Sequence, residues 1–437
     1  MNQKHRLPAR LLIASALLLL LPGCGPDVRE EQQVKYPPLS NLQPIAGPTG
    51  YASNLDQRAE LGRMLFFDKR LSTSQQTSCA SCHNPEKGFS GKGDVGWRDV
   101  PGLVNSRYQS SLGWDGSSSS LEQQAEQHAA DALVLNANAQ IIEARLALIP
   151  EYRRQFQMLF HSAEPQADQV WQAIATFERS LVQSNTPFDR YIQGDRDALD
   201  KQQRAGMELF YEKANCIHCH NGPLGSDGNY HNLGLATVDL LRVSAEQQIA
   251  FRYRQRLKGL SGEAANTTRA DLGRWYISHQ ETDKGAFRTP TLRELRHTAP
   301  YMHNGTLSTL EEVVEFYDRG GADPAGRTTA HQAYRSPLIK PLGLDAKEKA
   351  ALVAFLNSMS GPLMRIKLPD LPKSSDPMVK KPVPVRQRSL REQLTPRLYL
   401  TDPDPEPREP PSRLPADAGS LYSPNRVLSR DKTNQGN

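Results

Sequence analysis

Two copies of the motif Cys-x-x-Cys-His constrain the fold of this 437-residue chain more than any other feature. The first is Cys79-Ala80-Ser81-Cys82-His83, and the second is Cys216-Ile217-His218-Cys219-His220. Two thiols three positions apart on one helical turn can reach both vinyl groups of a haem, and the adjacent histidine can then ligate the iron. A zinc site or a thiol–disulfide centre is an alternative for one such motif. Two motifs that both end in histidine favour two covalently bound haem c groups.

The fifth cysteine, Cys24, follows a segment typical of an export signal. Residues 11–21 form an apolar run of about eleven residues after a basic start, which suits a signal-peptide core and is too short to cross a bilayer. Leu21-Pro22-Gly23-Cys24 then resembles the lipobox of bacterial lipoproteins, in which the signal is cut before a lipid-bearing cysteine. An ordinary secretory signal with an incidental cysteine is the alternative. We expect a periplasmic protein with a lipid anchor in the outer membrane, since Gly25 rather than an aspartate follows Cys24.

Length and charge fit two ordinary domains and give no sign of nucleic-acid binding. The net charge is only +5, with acidic and basic residues well mixed. Residues 25–54 are rich in Pro, Gly and Gln and predict a disordered tether after the signal, residues 1–24. Fourteen of the 32 prolines follow Gly361, so residues 362–437 are too poor in apolar residues to fold alone. This tail is expected to be disordered or to wrap along the folded body.

The region between the tether and the tail contains a duplication. Residues 55–66 and 199–210 have similar sequences with helical apolar spacing, and each precedes a haem motif. Gly62 matches Gly206, and Phe66 matches Phe210. The fold class is therefore mainly α, with two cytochrome c-like domains at residues 55–195 and 196–361. No run of alternating strands is apparent, and further helices are predicted at Leu121–Leu133, Val170–Val182, Ser308–Tyr317 and Ala346–Met359.

The sequence resembles the di-haem cytochrome c peroxidase and MauG superfamily. The resemblance runs from about Leu55 to Met359 and implies two facing cytochrome c domains with a calcium ion between the haems. The first haem would activate hydrogen peroxide, and the second would relay electrons. The resemblance rests on the two haem motifs and on the blocks Leu61–Asp68, Trp114-Asp115-Gly116, His231–Gly234, Phe287–Arg293, Ala299–Gly305 and Phe316-Tyr317.

The distal ligand of the second haem separates the branches of this superfamily. It is a methionine in the peroxidases and a tyrosine in the MauG branch, and the matching residue here is Tyr317. A capping box, Thr309 with Glu312, predicts the start of its helix. Tyr317 shares one helical face with Leu310, Val313 and Val314, so a core aromatic is the alternative from spacing alone. Met302 is the competing ligand.

The first haem is expected to be five-coordinate. In the peroxidases a loop histidine caps this iron at rest, but no histidine lies between His83 and His128. The family moves protons with a glutamine and a glutamate, which match Gln124 and Val134. Valine cannot transfer protons, and His128, one helical turn after Gln124, can take that role, ligate the iron, or be an ordinary polar residue.

The resemblance also assigns residues between the haems. Trp114 matches the tryptophan that lets charge pass between them, although a buried core tryptophan is the common alternative. Thr298 and Pro300 match carbonyl donors to calcium, with a side-chain oxygen from Asp99 or Asn105.

Residues 237–270 form an insertion relative to the family core. Its arginines predict either a docking site for a partner or a solvated helix, and they are Arg242, Arg252, Arg254 and Arg256.

Three functions remain open from the sequence. The first is a MauG-like enzyme that uses peroxide and high-valent haem iron to oxidise a partner protein. The second is a cytochrome c peroxidase that reduces peroxide with electrons from a small cytochrome. The third is an electron-transfer cytochrome without peroxide chemistry, which Val134 and ligation by His128 would produce.

Overall fold

The computed structural model describes residues 42–45, 57–91, 97–235, 239–321 and 332–373. These ranges belong to one unit that ends at Val383, and a second unit, Pro384–Asn437, lies outside them. The signal segment, Cys24 and most of the proline-rich tail also lie outside them. Within the described ranges, no helix combines the length and apolar character that a membrane span requires.

The described chain is mainly helical, as predicted. One small antiparallel sheet pairs β1 (Tyr230–His231) with β2 (Phe287–Arg288). The helix predicted from Leu121 ends at Ala130 instead of Leu133, and the other predicted helices are found within three residues of their expected ends. The α-helices are α1 Gln57–Phe67, α2 Cys79–Cys82, α3 Leu121–Ala130, α4 Ala139–Ala147, α5 Pro150–Phe160, α6 Ala167–Ser180, α7 Pro187–Ile192, α8 Lys201–Tyr211, α9 Ala245–Leu257, α10 Gly262–Thr267, α11 Trp275–Ser278, α12 Leu310–Asp318 and α13 Ala346–Ser358.

The duplication appears as two equivalent helix crossings. Helix α1 packs on α6, and α8 packs on α13. A Cβ added to Gly62 would overlap the carbonyl oxygen of Ala173, and one added to Gly206 would overlap that of Ala351. Both glycines therefore serve the same purpose, which is to let the backbones of the two helices touch.

Each crossing has its own apolar core. Phe66 packs on Phe177 with ring centroids 5.1 Å apart, and Phe210 packs on Phe355 at 5.3 Å. The first core extends through α4 and α5, and the second extends through α12. Helix α7 contributes Phe188 to the second core, so by packing the second domain begins before residue 196.

Part of the predicted tether is ordered, which corrects the expectation of a disordered segment. Leu42 is buried in the second core, and residues 42–45 are held by a buried arginine. Arg293 donates to the carbonyl oxygen of Gln43 at 2.6 Å and to Asp189 Oδ1 at 2.8 Å. Sequence patterns could not reveal this contact, because Arg293 lies 250 residues from Gln43 along the chain.

The start of the proline-rich tail is also packed. After leaving α13, the chain returns to the first domain, where Met364 and Ile366 contact its core. Arg63 donates to the carbonyl oxygen of Lys367 at 2.5 Å, and Arg70 donates to that of Pro372 at 2.9 Å. Residues 361–373, which we call the strap, therefore link the two domains.

The insertion is folded against the body, so not all of its arginines are available to a partner. Trp97, Phe251 and Tyr276 form the centre of a third apolar cluster. Arg254 pairs with Asp131 after α3, and Lys258 donates to Asp115 Oδ2 at 2.7 Å. These contacts place α9 beside the residues that follow Trp114.

Candidate functional site

The two motif histidines are held in the same way. His83 Nδ1 lies 2.9 Å from the carbonyl oxygen of Phe89, and His220 Nδ1 lies 2.8 Å from that of Gly225. A carbonyl partner fixes the proton on Nδ1 and leaves Nε2 as the metal-binding nitrogen. This arrangement fits an iron ligand in both motifs.

The thiols do not fit the alternative chemistries. Burial raises the pKa of Cys79 and of Cys216 to about 12, and reactive redox cysteines need the opposite shift. All four motif cysteines are free of disulfides. In the described part of the chain, Cys79, Cys82 and Cys216 belong to no group of three possible metal ligands, whereas Cys219 lies near Asp227 and His231. The buried thiols are compatible with covalent attachment of haem.

The second motif opens into a large, mainly apolar cavity. Cys216, Cys219 and His220 line it, and α13 contributes Leu352 and Leu356. The predicted face of α12 also lines it, with Leu310, Val313, Val314 and Tyr317. An apolar cavity that ends in two thiols and an oriented imidazole fits a covalently bound haem.

Tyr317 and Met302 both reach this cavity. Burial raises the pKa of Tyr317, and the nearby sulfurs of Cys219 and Cys216 add to the increase. The phenol therefore lies within electrostatic range of both sulfurs of the second motif. Thr309 caps α12 through Glu312 N, as predicted, but the Glu312 carboxylate accepts from Ser308 N instead of completing the capping box.

Trp114 lies at the edge of the same cavity and is almost fully buried. Its indole Nε1 donates to the carbonyl oxygen of Asp99 at 2.8 Å. His303 presents its ring to Trp114 at 6.4 Å between centroids and stacks on Phe287 at 3.6 Å. The tryptophan assigned by resemblance is thus fixed by its hydrogen bond and its aromatic neighbours.

A buried charge network continues from Trp114. Asp115 accepts from Arg98 at 2.8 Å, and Arg98 also binds Asp271 at 2.6 Å. Arg98 and Lys258 hold the pKa of the Asp115 carboxyl far below its usual range, although burial alone would raise it. The sequence did not reveal this network, because its members lie up to 173 residues apart.

The predicted calcium donors converge on one region. Asp99, Thr298 and Pro300 all border the second cavity. Asp99 and Pro300 also both lie beside Gly305, because a Cβ added there would be 3.3 Å from Asp99 Oδ1 and 3.1 Å from Pro300 Cγ. The amide of Asn105 is instead bound at both ends to the backbone of Gln183, at 2.9 and 3.1 Å. Of the two side-chain donors considered, Asp99 is therefore the one that fits.

Helix α3 places Gln124 and His128 one turn apart, as predicted. His128 is exposed on α3, and desolvation by neighbouring protein, followed by the charges of His83 and Arg254, lowers its pKa. His128 is therefore neutral at pH 7 and lies within electrostatic range of the motif histidine His83. Val134 packs with Cys79 against the first core, so the family's glutamate position is apolar at this site.

Glu178 near the end of α6 is a site residue that the sequence did not reveal. It is only partly exposed and lies within electrostatic range of Cys79. Burial raises the pKa of the Glu178 carboxyl to about 8. The positive charge of Arg179 opposes this increase, and the negative charge of Glu122 adds to it. The duplicated crossings make Glu178 equivalent to Leu356, which lines the second cavity. A carboxyl thus occupies, in the first domain, the position of a leucine that lines the second cavity.

Another unpredicted pair lies beside the second motif. His231 Nε2 is 2.9 Å from Asp227 Oδ2, and both side chains lie within 4.8 Å of Cys219 Sγ. Because Cys219 belongs to the second Cys-x-x-Cys-His motif, we interpret His231 and Asp227 as an ion pair beside that motif.

The described chain is a mainly helical protein with two Cys-x-x-Cys-His motifs whose histidines are held in the same way. The model for di-haem cytochrome c peroxidase matches residues 56–197. The chain is 38% identical to cytochrome-c peroxidase IdrP1 of Pseudomonas sp. (strain SCT), over 88% of this chain and 100% of that protein. It is 32% identical to the methylamine utilization protein MauG of Methylorubrum extorquens, over 79% of this chain and 86% of that protein. Among solved structures, a MauG-like protein associated with microbial copper homeostasis matches with a TM-score of 0.59 and 28% identity, over 76% of this chain and 95% of that one.

The chain belongs to the di-haem cytochrome c peroxidase family. Membership implies two haem c groups, hydrogen peroxide as substrate and a redox partner. Its relatives include both peroxidases and MauG proteins, so the branch is a separate question.

Proposed function

We propose that this protein uses hydrogen peroxide to oxidise a partner protein, as in the MauG branch. The observation that carries the proposal is the position of Tyr317, which lines the same cavity as Cys216, Cys219 and His220. A phenolate is a hard anionic ligand and suits oxidised iron better than a thioether does. The lack of a histidine between His83 and His128 in the sequence supports a first site that is open without reductive activation.

The bound haems supply the redox chemistry, and the protein supplies ligands, orientation and proton transfer. His83 and His220 would hold the haem irons through Nε2, since their Nδ1 atoms are bound to carbonyl groups. The neutral imidazole of His128 can accept a proton from peroxide on a ring nitrogen and return it to the leaving oxygen. The Gln124 amide, on the same face of α3, can orient the peroxide by hydrogen bonding.

Trp114 offers a buried aromatic ring for charge transfer between the sites. Its hydrogen bond to Asp99 and the neighbouring Phe287–His303 stack fix its orientation. Arg98 and Lys258 both pair with the buried Asp115 carboxylate and so hold the adjacent loop. We also propose that Asp99, Thr298 and Pro300 bind calcium at this junction, and that Cys24 anchors the protein in the periplasm through a lipid.

The second candidate is a peroxidase that takes electrons from a small cytochrome. It is favoured by the 38% identity to a named cytochrome-c peroxidase. In that case the partner is the electron donor and the product is water.

Replacing His128 with alanine separates these peroxide reactions from a plain electron carrier. We expect the second-order rate constant for peroxide to fall by at least about tenfold, because a proton acceptor is lost. The measurement is stopped-flow absorbance of the haem-loaded protein, with the resting spectrum as a second readout.

The matched control is Glu126→Ala, which removes an exposed side chain from the same helix. It should react with peroxide like the wild type. If His128→Ala instead gains peroxide reactivity and its resting spectrum shows loss of an iron ligand, His128 caps the iron and the proposal is wrong.

A further inference from the structure

A groove lined by both polar and apolar residues runs along the strap where the two domains meet. Its volume is about 1000 Å³, and it is open to solvent. The first domain contributes Glu60 and Arg63 from α1, and the second contributes Arg190 from α7 and Arg296. The strap adds Arg365 and Lys367. This groove lies apart from the haem cavity and has no role in the chemistry described above.

The groove is strongly basic. Five cationic side chains line it, and Glu60 is the one carboxylate among the described lining residues. That carboxylate is already bound to Arg63 at 2.6 Å. Arg190, Arg296, Arg365 and Lys367 are all exposed, and Arg190 is only loosely paired with Asp195 at 3.6 Å. A local excess of positive charge therefore faces solvent across both domains.

The groove adjoins the structure that holds the first iron ligand. His297 lines the groove and also lies next to Gly88. A Cβ added to Gly88 would be 3.4 Å from the Cβ of His297. Gly88 precedes Phe89, whose carbonyl oxygen binds His83 Nδ1. Arg63 lies on α1, the helix that brings Phe66 against the His83 ring at 6.4 Å. A protein seated in the groove would thus lie next to the loop and helix that support the first haem site.

We propose that this groove is the docking site for the acidic surface of the redox partner protein. The inference rests on the proposed function in one respect, that a protein exchanges electrons with this enzyme. A small anion is less suitable, because a groove of about 1000 Å³ that is open to solvent does not enclose so small a ligand. A bilayer is less suitable because the surface is concave. Exposed basic side chains around a groove favour rapid, salt-dependent association with an acidic protein.

The test uses the haem-loaded protein and two reduced small c-type cytochromes of similar size, one with net negative and one with net positive charge. Dissociation constants are measured at ionic strengths from about 20 to 300 mM, across which screening changes strongly. We expect the acidic cytochrome to bind more tightly, with affinity that falls as salt rises. The double variant Arg190→Glu/Arg296→Glu should weaken that binding at least about tenfold at low salt and remove most of the salt dependence.

The control is Arg153→Glu, which reverses an exposed charge on α5 outside the groove. It should bind the acidic cytochrome as the wild type does. Peroxide consumption with a small-molecule electron donor is measured in the same samples, so a failed enzyme is distinguished from a failed docking site. Unchanged binding in the double variant, or equal binding of both cytochromes by the wild type, would overturn the proposal whatever the peroxide assay shows.

Discussion

Replacing Gly206 with alanine is expected to destabilise the second domain by about 3 kcal/mol, because overpacking of a rigid contact cannot be relieved by side-chain rotation. The added Cβ would overlap the carbonyl oxygen of Ala351 and lie 2.8 Å from Cβ of Phe355. Helices α8 and α13 would have to separate, and both hold walls of the second haem site. Gly62→Ala should have the same effect on the first domain, where Ala173 and Phe177 make the equivalent contacts.

Denaturant unfolding followed by the absorbance of each haem measures this effect. Ala205→Ser is the matched control, since Ala205 is exposed and precedes Gly206 on the same helix. The free energy of unfolding should change by less than about 0.5 kcal/mol in the control. A Gly206→Ala variant as stable as the control would mean that the helices do not cross as described.

The second large effect is expected for Arg293→Met, which should cost about 3–5 kcal/mol because it leaves a buried charge without its partner. The side chains of Arg293 and Asp189 are both 0% exposed. Arg293 also binds the carbonyl oxygens of Gln43 and Pro223, at 2.6 and 2.8 Å. The variant should therefore release residues 42–45 to proteolysis as well as lower the unfolding midpoint.

Two further variants isolate the cause. Adding Asp189→Asn removes the stranded charge and should recover at least about 1 kcal/mol relative to Arg293→Met alone. Arg154→Met, at a site 62% exposed, should have little effect. A loss below about 1 kcal/mol for Arg293→Met would contradict the buried pair.

Local sequence patterns predicted the helices and the equivalence of the two domains. Helical spacing depends only on residues that are close together in the sequence. The matched glycines and phenylalanines of the two domains could therefore be identified from the sequence itself. The packing of residues 42–45 and of the strap could not, because their partners lie in distant parts of the chain. Proline content alone indicated disorder for segments that Arg293, Arg63 and Arg70 hold in place.

The site was predictable where residues lie on one element. Tyr317 was expected on the face of α12 that contains Val313 and Val314, and all three line the second cavity. Glu178 was missed, although an alignment of α6 with α13 would have set it opposite Leu356. The pairing of Lys258 with Asp115 could not be found from such an alignment, because the two residues lie 143 positions apart in the sequence.

The most direct test of the central claim is to add one equivalent of hydrogen peroxide to the fully oxidised, haem-loaded protein and to record its optical spectrum over time. Peroxide-driven oxidation through an open first site predicts a rapid change in the haem absorption bands without prior reduction. The bands should then return to their resting form more quickly when an oxidisable partner protein is present. An unchanged spectrum would contradict the claim and would leave a peroxidase that needs reductive activation or a plain electron carrier.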